Sequence, residues 1–352
     1  MKSNGKPLSD EEHIKTLRAL QASDGNLTAA GRILGINRAS VRDRIKQAEK
    51  RGLTLDPKRI DPLSQEIKIS QPPPNETIEE LIERKKRNIG RSLEHEQYAS
   101  LVPVEVKEPG PIGLCLIGDP HIDDDGCDII SLERDLKIIG KTPGFFAGHV
   151  GDLTNNWVGR LQRLYAHQST RFDEGLRLME WMLGLCPNLF VINGNHDVWN
   201  NGADLIRFIV RPSPTIHQSH GARIALRWPG RQEIRIHARH DFAGSSQFSD
   251  THGHKRELLW GHRDHILVAG HKHVDEARCE PSIDGMAHWL FRVSGYKVID
   301  EYAKERNFRP KRLAPSVSLV IDPTQKIPAE QVKPFWCHQT AADYLTWLRG
   351  RK

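Results

Sequence analysis

Four short apolar runs in this chain each end in residue types that bind cations. LCLIGDPH places Asp119 and His121 just past such a run, and FFAGHVGDLTNN does the same for Asp152. LFVINGNHD delivers Asn195, His196 and Asp197, and HILVAGHKH delivers His271 and His273. Glycines at 118, 151, 194 and 270 stand before these sets and let the backbone turn tightly. Carboxylate and amide oxygens mixed with imidazoles, and no thiolate, make a donor set for divalent cations that act on phosphate. Two cations about 3.5–4 Å apart can share one bridging carboxylate and one bridging hydroxide. Asp152 is the natural bridge, and the hydroxide would attack phosphorus in line while a neighbouring imidazole protonates the leaving oxygen. Each set alone also has a plain structural reading, as turn-forming Asp or Asn or as surface histidine. Their joint order favours metal chemistry, and so does the distribution of histidine: 15 of the 18 lie between His121 and His288.

The elements that must hold these residues read as buried strands. Ile112–Ile117, Phe145–Val150, Leu189–Ile192 and Ile266–Ala269 are short apolar runs, and strand-like runs follow at 223–228, 233–237, 289–293 and 317–321. Helical patterns intervene at Arg160–Leu185 and Ala203–Val210, which makes residues 111–325 an α/β domain. Loops at the carboxyl ends of such strands face one rim, so the polar sets can converge there. A tail over 326–352 carries Phe335, Trp336, Tyr344 and Trp347, suited to packing a last helix onto the domain.

The part before residue 111 differs in character. Residues 1–51 read as helices interrupted at Asp24-Gly25 and at Gly35-Ile36-Asn37. Asn37 is placed to cap a helix over Arg38–Arg51, whose buried stripe would be Val41, Ile45 and Ala48. Residues 52–110 combine a Pro-rich linker, with Pro72-Pro73-Pro74, and a charged helix over Thr77–Tyr98.

Charge is uneven. The chain of 352 residues has a formal net charge of +6, and residues 1–51 alone hold eleven Lys/Arg against six Asp/Glu. The excess at that end points to a polyanionic partner, although a solvated basic arm would look alike. The five cysteines form no C-x-x-C pair, which fits a reducing compartment. No signal-like apolar segment and no apolar run of ~18 residues is present, so a soluble, cytoplasmic protein without membrane contact is expected.

In order, the polar blocks resemble the calcineurin-like metallophosphoesterase family: D-x-H, G-D, G-N-H-D, a lone His, then G-H-x-H, spanning roughly Pro111 to Pro323. The resemblance implies a sandwich of two β-sheets flanked by helices, an α/β (α+β) fold. It implies that Asp119, His121 and His273 bind one metal, that Asp152 bridges, and that Asn195, His240 and His271 bind the second. His196 would be the proton donor, oriented by Asp197. The lone histidine of the fourth block has four candidates, His237, His240, His252 and His254. His240 is preferred because HDFAG follows a strand, with His252 and His254 kept as candidates to reach substrate phosphate. Asn155 would support the site from behind the ligands. The metal preferred is Mn²⁺, with Fe, Zn²⁺ or Ni²⁺ as alternatives. Within the family the blocks resemble repair exonucleases, and they resemble phage and prophage enzymes still more, through HDFAG, the later T-H-G run and GYKVIDEYAKERNF.

GNLTAAGRILGINRASVRDRIKQ resembles the helix-turn-helix of the Fis family. The resemblance implies a small all-α DNA-binding module, in which Arg38, Ser40, Arg42 and Lys46 face the groove or phosphates. A homodimer would strengthen its grip. Together the two parts imply a dinuclear-metal phosphodiesterase acting on DNA, a nuclease or DNA-processing enzyme. The alternatives are a small-molecule phosphatase or nucleotide phosphodiesterase with a regulatory N-terminus, and a non-enzymatic DNA-binding regulator.

Overall fold

The helices of the N-terminal part are set by their caps. The computed structural model describes residues 8–55, 75–107, 110–199, 204–298, 304 and 313–351, and the chain divides into two compact units, Met1–Ile78 and Glu79–Lys352. In the first unit Ser9 and Glu12 form a capping box that starts α1 (Asp10–Gln21). Asp24 and Gly25, at φ 47 and 78, reverse the chain. The Asn26 side chain then caps α2 (Leu27–Leu34), and Gly35, at φ 65, ends it in the left-handed region. Asn37 accepts the Ser40 N–H at 2.8 Å and opens α3 (Arg38–Lys50). Ala19, Ala30 and Val41 bury fully where the three helices meet, with Leu20, Leu27, Leu34, Ile36 and Ile45 packed around them. Of the expected stripe on α3, Val41 and Ala48 are buried and Ile45 is half-buried. The expected Pro72-Pro73-Pro74 linker lies outside the described residues, as does most of the end of GYKVIDEYAKERNF.

The second unit is built from two six-stranded sheets. It opens with the charged helix α4 (Ile78–Ala99), on which Ile82, Ile89 and Leu93 are exposed. Its strands are β1 (Val102–Glu105), β2 (Ile112–Ile117), β3 (Phe145–His149), β4 (Asn188–Ile192), β5 (Ile216–Gln218), β6 (Gly221–Arg227), β7 (Ile234–Arg239), β8 (Ile266–Ala269), β9 (Glu276–Pro281), β10 (Ala287–Arg292), β11 (Ser316–Ile321) and β12 (Val332–Phe335). One sheet runs β12-β11-β2-β3-β4-β5, the other β1-β6-β7-β8-β10-β9. All six residues of β2 are buried, because both faces are covered. Ile112, Leu114 and Leu116 point between the sheets, against Ile224, Ile236, Val268 and Phe291. Cys115 and Ile117 point outward, onto a helical layer of α5 (Ile129–Lys141), α6 (Phe172–Gly184), α7 (Leu205–Val210) and α9 (His338–Gly350). A smaller cluster, with Phe242, Leu267 and Leu290, packs under α8 (His252–Trp260). The result is a sandwich of two sheets flanked by helices, preceded by the all-α module.

Three expectations need correction. Arg160–Leu185 is not one helix: a 3-10 helix over Gly159–His167 stops, and α6 begins at Phe172. The break occurs where Gln168 Nε2 donates to Asp123 Oδ2 at 3.0 Å and Ser169 Oγ donates to Asp125 Oδ1 at 2.6 Å, tertiary bonds that compete with helical continuation. The amphipathic α5 was not among the expected helices. The strands β1, β5, β9 and β12 were also missed; all four are sheet edges, and β12 contains Pro334, which an edge tolerates. Among the described residues no helix is long and apolar enough to cross a membrane.

Candidate metal centre

Parallel pairing aligns the carboxyl ends of β2, β3 and β4, so the residues that follow them emerge side by side. Asp119, Asp152 and Asn195 come from this sheet. His240 follows β7 and His271 and His273 follow β8, which pair in parallel in the other sheet. The seven expected ligands thus lie where the carboxyl edges of both sheets meet. Their loops are laced together: Asp119 N–H donates to Gly151 O at 3.1 Å, His121 N–H to Asp152 O at 3.2 Å, and Gly270 N–H to His240 O at 3.1 Å. Asp119, His121, Asp152, His271 and His273 all sit at positive φ, between 41 and 71. Non-glycine residues pay for that backbone with strain, and such strain concentrates at functional sites.

The donor atoms form three overlapping groups: Asp119–His121–His273, His121–Asp152–His196 and Asp152–His240–His271. Asp152 Oδ2 lies 3.1 Å from His240 Nε2, 3.8 Å from His196 Nε2 and 4.0 Å from His121 Nε2. It belongs to two of the groups, as a bridging carboxylate must. Asp119 Oδ1 is 3.9 Å from His273 Nε2. Of the four candidates for the lone histidine, His240 is the one in these groups.

The fit to a cation can be tested on hydrogen bonding alone. His240 Nδ1 donates to the Val150 carbonyl at 2.8 Å, so in the neutral ring Nε2 is a lone pair. That lone pair faces Asn195 Oδ1 at 3.0 Å, His271 Nδ1 at 3.0 Å and Asp152 Oδ2 at 3.1 Å. A single proton can serve only one of these contacts; a divalent cation can serve them all. Asp119 Oδ1 and His121 Nδ1 are also buried without a hydrogen-bond partner. The donor set therefore fits divalent metal.

Electrostatics say the same. Burial, with the Asp152 charge added and His240 opposing, pushes the Asp119 carboxyl up to about 8. Burial works against charge on Asp152 too, but the His196 and His240 imidazoles hold it well below the usual carboxylate range. Burial also opposes charge on His240, and Asp152 overrides it, holding that imidazole up to about 10. Burial keeps His121 well below the usual imidazole value and lowers His196 and His271. Without a metal the Asp152 charge is met by a proton on His240 while Asp119 resists ionising; a divalent cation would replace that proton, free the His240 lone pair and stabilise both carboxylates.

His196 stands next to Asp152 through its backbone N–H, which donates to Asp152 Oδ1 at 2.9 Å. Its ring packs between Trp157, 5.1 Å away, and Trp199, 4.0 Å away. The expectation that Asp197 orients this ring is corrected: His196 Nδ1 donates to the Asn155 carbonyl. The Asp197 carboxylate instead accepts the backbone N–H groups of Asp152 at 2.7 Å, Leu153 at 2.9 Å and Gly194 at 2.8 Å. Asp197 shapes the loops, and Asn155 aims the imidazole. Asn155 is in turn fixed by Asp123, Asp124 and Gln168. His254 does not reach outward: it is fully buried, donates from Nε2 to the Phe291 carbonyl at 2.9 Å and packs on Phe242. His252 is exposed and belongs to none of the three donor groups.

Two residues that the sequence reading passed over act here. Arg292, 1% exposed, donates to Asp250 O at 2.7 Å, to Gly270 O and to Asp241 Oδ1 at 2.7 Å, tying the His240 loop to the His271 loop. Its signal was a charge inside the apolar run WLFRV. Lys297, 2% exposed, lies 3.0 Å from Asp124 and 3.4 Å from Asn155 Oδ1, placing a buried cation behind His196.

Residues 9–47 match the family model described as bacterial regulatory protein, Fis family, the segment that folds as α1–α3. No curated protein sequence matches the chain. Among solved structures it is similar to a conserved uncharacterized protein, described as a predicted phosphoesterase, from Streptococcus pneumoniae TIGR4: 13% identity, 64% of this chain and 97% of that one, TM-score 0.29. It is similar to vacuolar protein sorting 29 from Cryptosporidium parvum, at 11% identity, 64% and 96% coverage and TM-score 0.32. Wild-type Vps29 complexed with Zn²⁺ from Entamoeba histolytica gives 14%, 64%, 97% and 0.30. At such distances the chemistry rests on the geometry of the site, not on the likeness.

Proposed function

We propose that this chain is a metal-dependent phosphoester hydrolase whose substrate is DNA, a nuclease or DNA-processing enzyme. The observation that carries the reading is the convergence of Asp152 Oδ2, Asn195 Oδ1 and His271 Nδ1 on the lone-pair nitrogen of His240, with Asp119, His121 and His273 adjoining. Two divalent cations held by these seven residues would supply Lewis acidity toward phosphate oxygens and an activated water. Mn²⁺ is the metal of this reading, with Fe, Zn²⁺ and Ni²⁺ able to use the same donors.

The chain's own residues supply the rest. His196 Nδ1 is committed to the Asn155 carbonyl, so the proton to be given away sits on Nε2, on the side of Asp152. Burial lowers the affinity of that imidazole for its proton, which suits it to protonate a leaving alkoxide. The Trp157 and Trp199 rings keep water from its flanks. The helix-turn-helix module supports DNA as the polymer, with Arg38, Ser40, Arg42 and Lys46 of α3 as the residues that would meet it. One such module grips weakly, so a homodimer belongs to the reading.

A panel assay with Mn²⁺ over DNA, RNA, cyclic nucleotides and phosphomonoesters tests it. Turnover of DNA above the rest is the expected result. Turnover confined to phosphomonoesters would make the chain a small-molecule phosphatase, and no turnover with any divalent cation would leave a DNA-binding regulator.

A further inference from the structure

An open cleft of about 1110 Å³ is walled by the end of α4, α7, β5 and the adjoining ends of β6 and β7. Arg207, Arg211, Arg223 and Arg239 line it, with Phe208 among them. Arg223 is spent on Asp264, through two bonds at 2.7 and 2.9 Å. Among the described residues Arg207, Arg211 and Arg239 make no ion pair, and Arg207 and Arg211 are exposed. Of the carboxylates along the cleft, Asp204 is held by His217 at 2.8 Å, while Glu257, beside a His237 ring that burial keeps neutral, and Glu96 stand against three free guanidinium groups. Phe208 is 68% exposed, with the exposed Arg207 and Arg211 close to it at the end of α7. Two lining residues lie near the metal ligands, one in sequence and one through a backbone bond. Arg239 directly precedes His240, and Gln218, another lining residue, accepts the Asn193 N–H two positions before Asn195.

We propose that this cleft holds single-stranded DNA; the inference rests on the phosphoesterase reading and adds the form of its substrate. Free guanidinium groups along an open groove track a phosphate backbone, and an exposed aromatic ring between them offers a stacking face to a base. A duplex hides the faces of its bases, so Phe208 selects an unpaired strand.

The test measures anisotropy of a fluorescein-labelled oligothymidine on the full chain in EDTA, in a background carrying Arg42→Ala and Lys46→Ala so that the N-terminal module does not mask the cleft. Phe208→Ala should weaken strand binding about tenfold, in the range of a lost base-stacking contact. Arg207→Ala with Arg211→Ala should lower the slope of log affinity against log salt by about 1.4, two phosphates' worth for a single strand. All three side chains are exposed, and melting curves verify that the variants fold. Affinity unchanged in both variants overturns the proposal, and so does a duplex that displaces the strand at equal concentration. Because EDTA removes turnover from the measurement, the two readings fail separately. Affinity that drops in both variants while the unmutated chain hydrolyses no phosphodiester with any divalent cation supports the cleft and sinks the phosphoesterase. Hydrolysis with affinity indifferent to both variants does the reverse.

Discussion

The backbone N–H of His271 donates to Asp119 Oδ2 at 2.7 Å across 152 residues of sequence. This one bond fastens the carboxyl edge of one sheet to that of the other and leaves Asp119 Oδ1 free for a cation. It depends on Gly270, because a Cβ there would sit 2.1 Å from Asp119 Oδ2. Gly270→Ala is therefore expected to lower metal affinity by about 10–100-fold, the usual effect of disturbing what supports a ligand. Gly184→Ala, where nothing lies within 4 Å, should leave metal affinity alone and add up to about 1 kcal/mol of stability. Calorimetric titration with Mn²⁺ compares them; equal affinities would remove the coupling of the two sheets from the account of the site.

His196 is predicted to act on protons and not to hold metal. His196→Ala should cut turnover about 10²–10⁴-fold while the bound metal count stays that of the parent. His240→Ala should lose both metal and turnover, since its Nε2 meets three other donor atoms. His196 Nε2 is near enough to Asp152, at 3.8 Å, for the opposite result to be meaningful. Loss of one metal equivalent from His196→Ala would make it a ligand.

Six of the seven candidate ligand positions were legible because each follows an apolar run that had to be a strand, and strand ends in such a fold share a rim; His240 entered only with the resemblance. The partner of His196 was not legible. Asp197 is adjacent in sequence, yet the loop turns its carboxylate back onto three backbone N–H groups, and Asn155, from the loop after β3, reaches the ring instead. Sequence adjacency says little about contact where the backbone coils into a 3-10 turn, as over His196–Val198. Edge strands such as β9 escaped for a related reason: Glu276–Pro281 is half-exposed and charged, and only pairing with β10 makes it a strand.

Asp197 is accordingly a structural keystone. Asp197→Ala strands three buried N–H groups, each worth about 1–3 kcal/mol when unsatisfied, so a loss of about 3 kcal/mol or more is expected on urea denaturation. Asp197→Asn keeps one acceptor oxygen and should fall between that variant and the parent. Full stability in Asp197→Ala would mean the three contacts carry no weight.

Acid should weaken the second unit through His149. This ring is buried on β3, bonded to Asn188 at 3.0 Å, and burial pushes its pKa down to about 4. The unfolded chain takes up the proton near 6.5. Between those values the unfolded state binds more protons, so the stabilisation is complete above 6.5 and is lost as pH falls toward 4. At pH 5 the loss attributable to this residue is about 2 kcal/mol. His149→Gln lacks the term, so its stability deficit relative to the parent should narrow by that amount between pH 7 and pH 5. A deficit constant with pH would place the proton elsewhere.

The last prediction concerns α3. Arg42 and Lys46 are exposed on it, while Val41 and Ala48 hold it to the module, so the two basic residues can be changed without disturbing the core. If they contact phosphates of duplex DNA, replacing both with Ala should lower the salt slope of binding by about 1.8, at roughly 0.9 per phosphate. Asp43, exposed between them, opposes the same phosphates. Asp43→Asn should therefore move nonspecific affinity the other way, upward, with the helix unchanged by circular dichroism. The pair of opposite signs separates direct contact from loss of fold, since a damaged module would weaken under either change. A slope indifferent to Arg42 and Lys46 would assign the basic face of α3 to solvent.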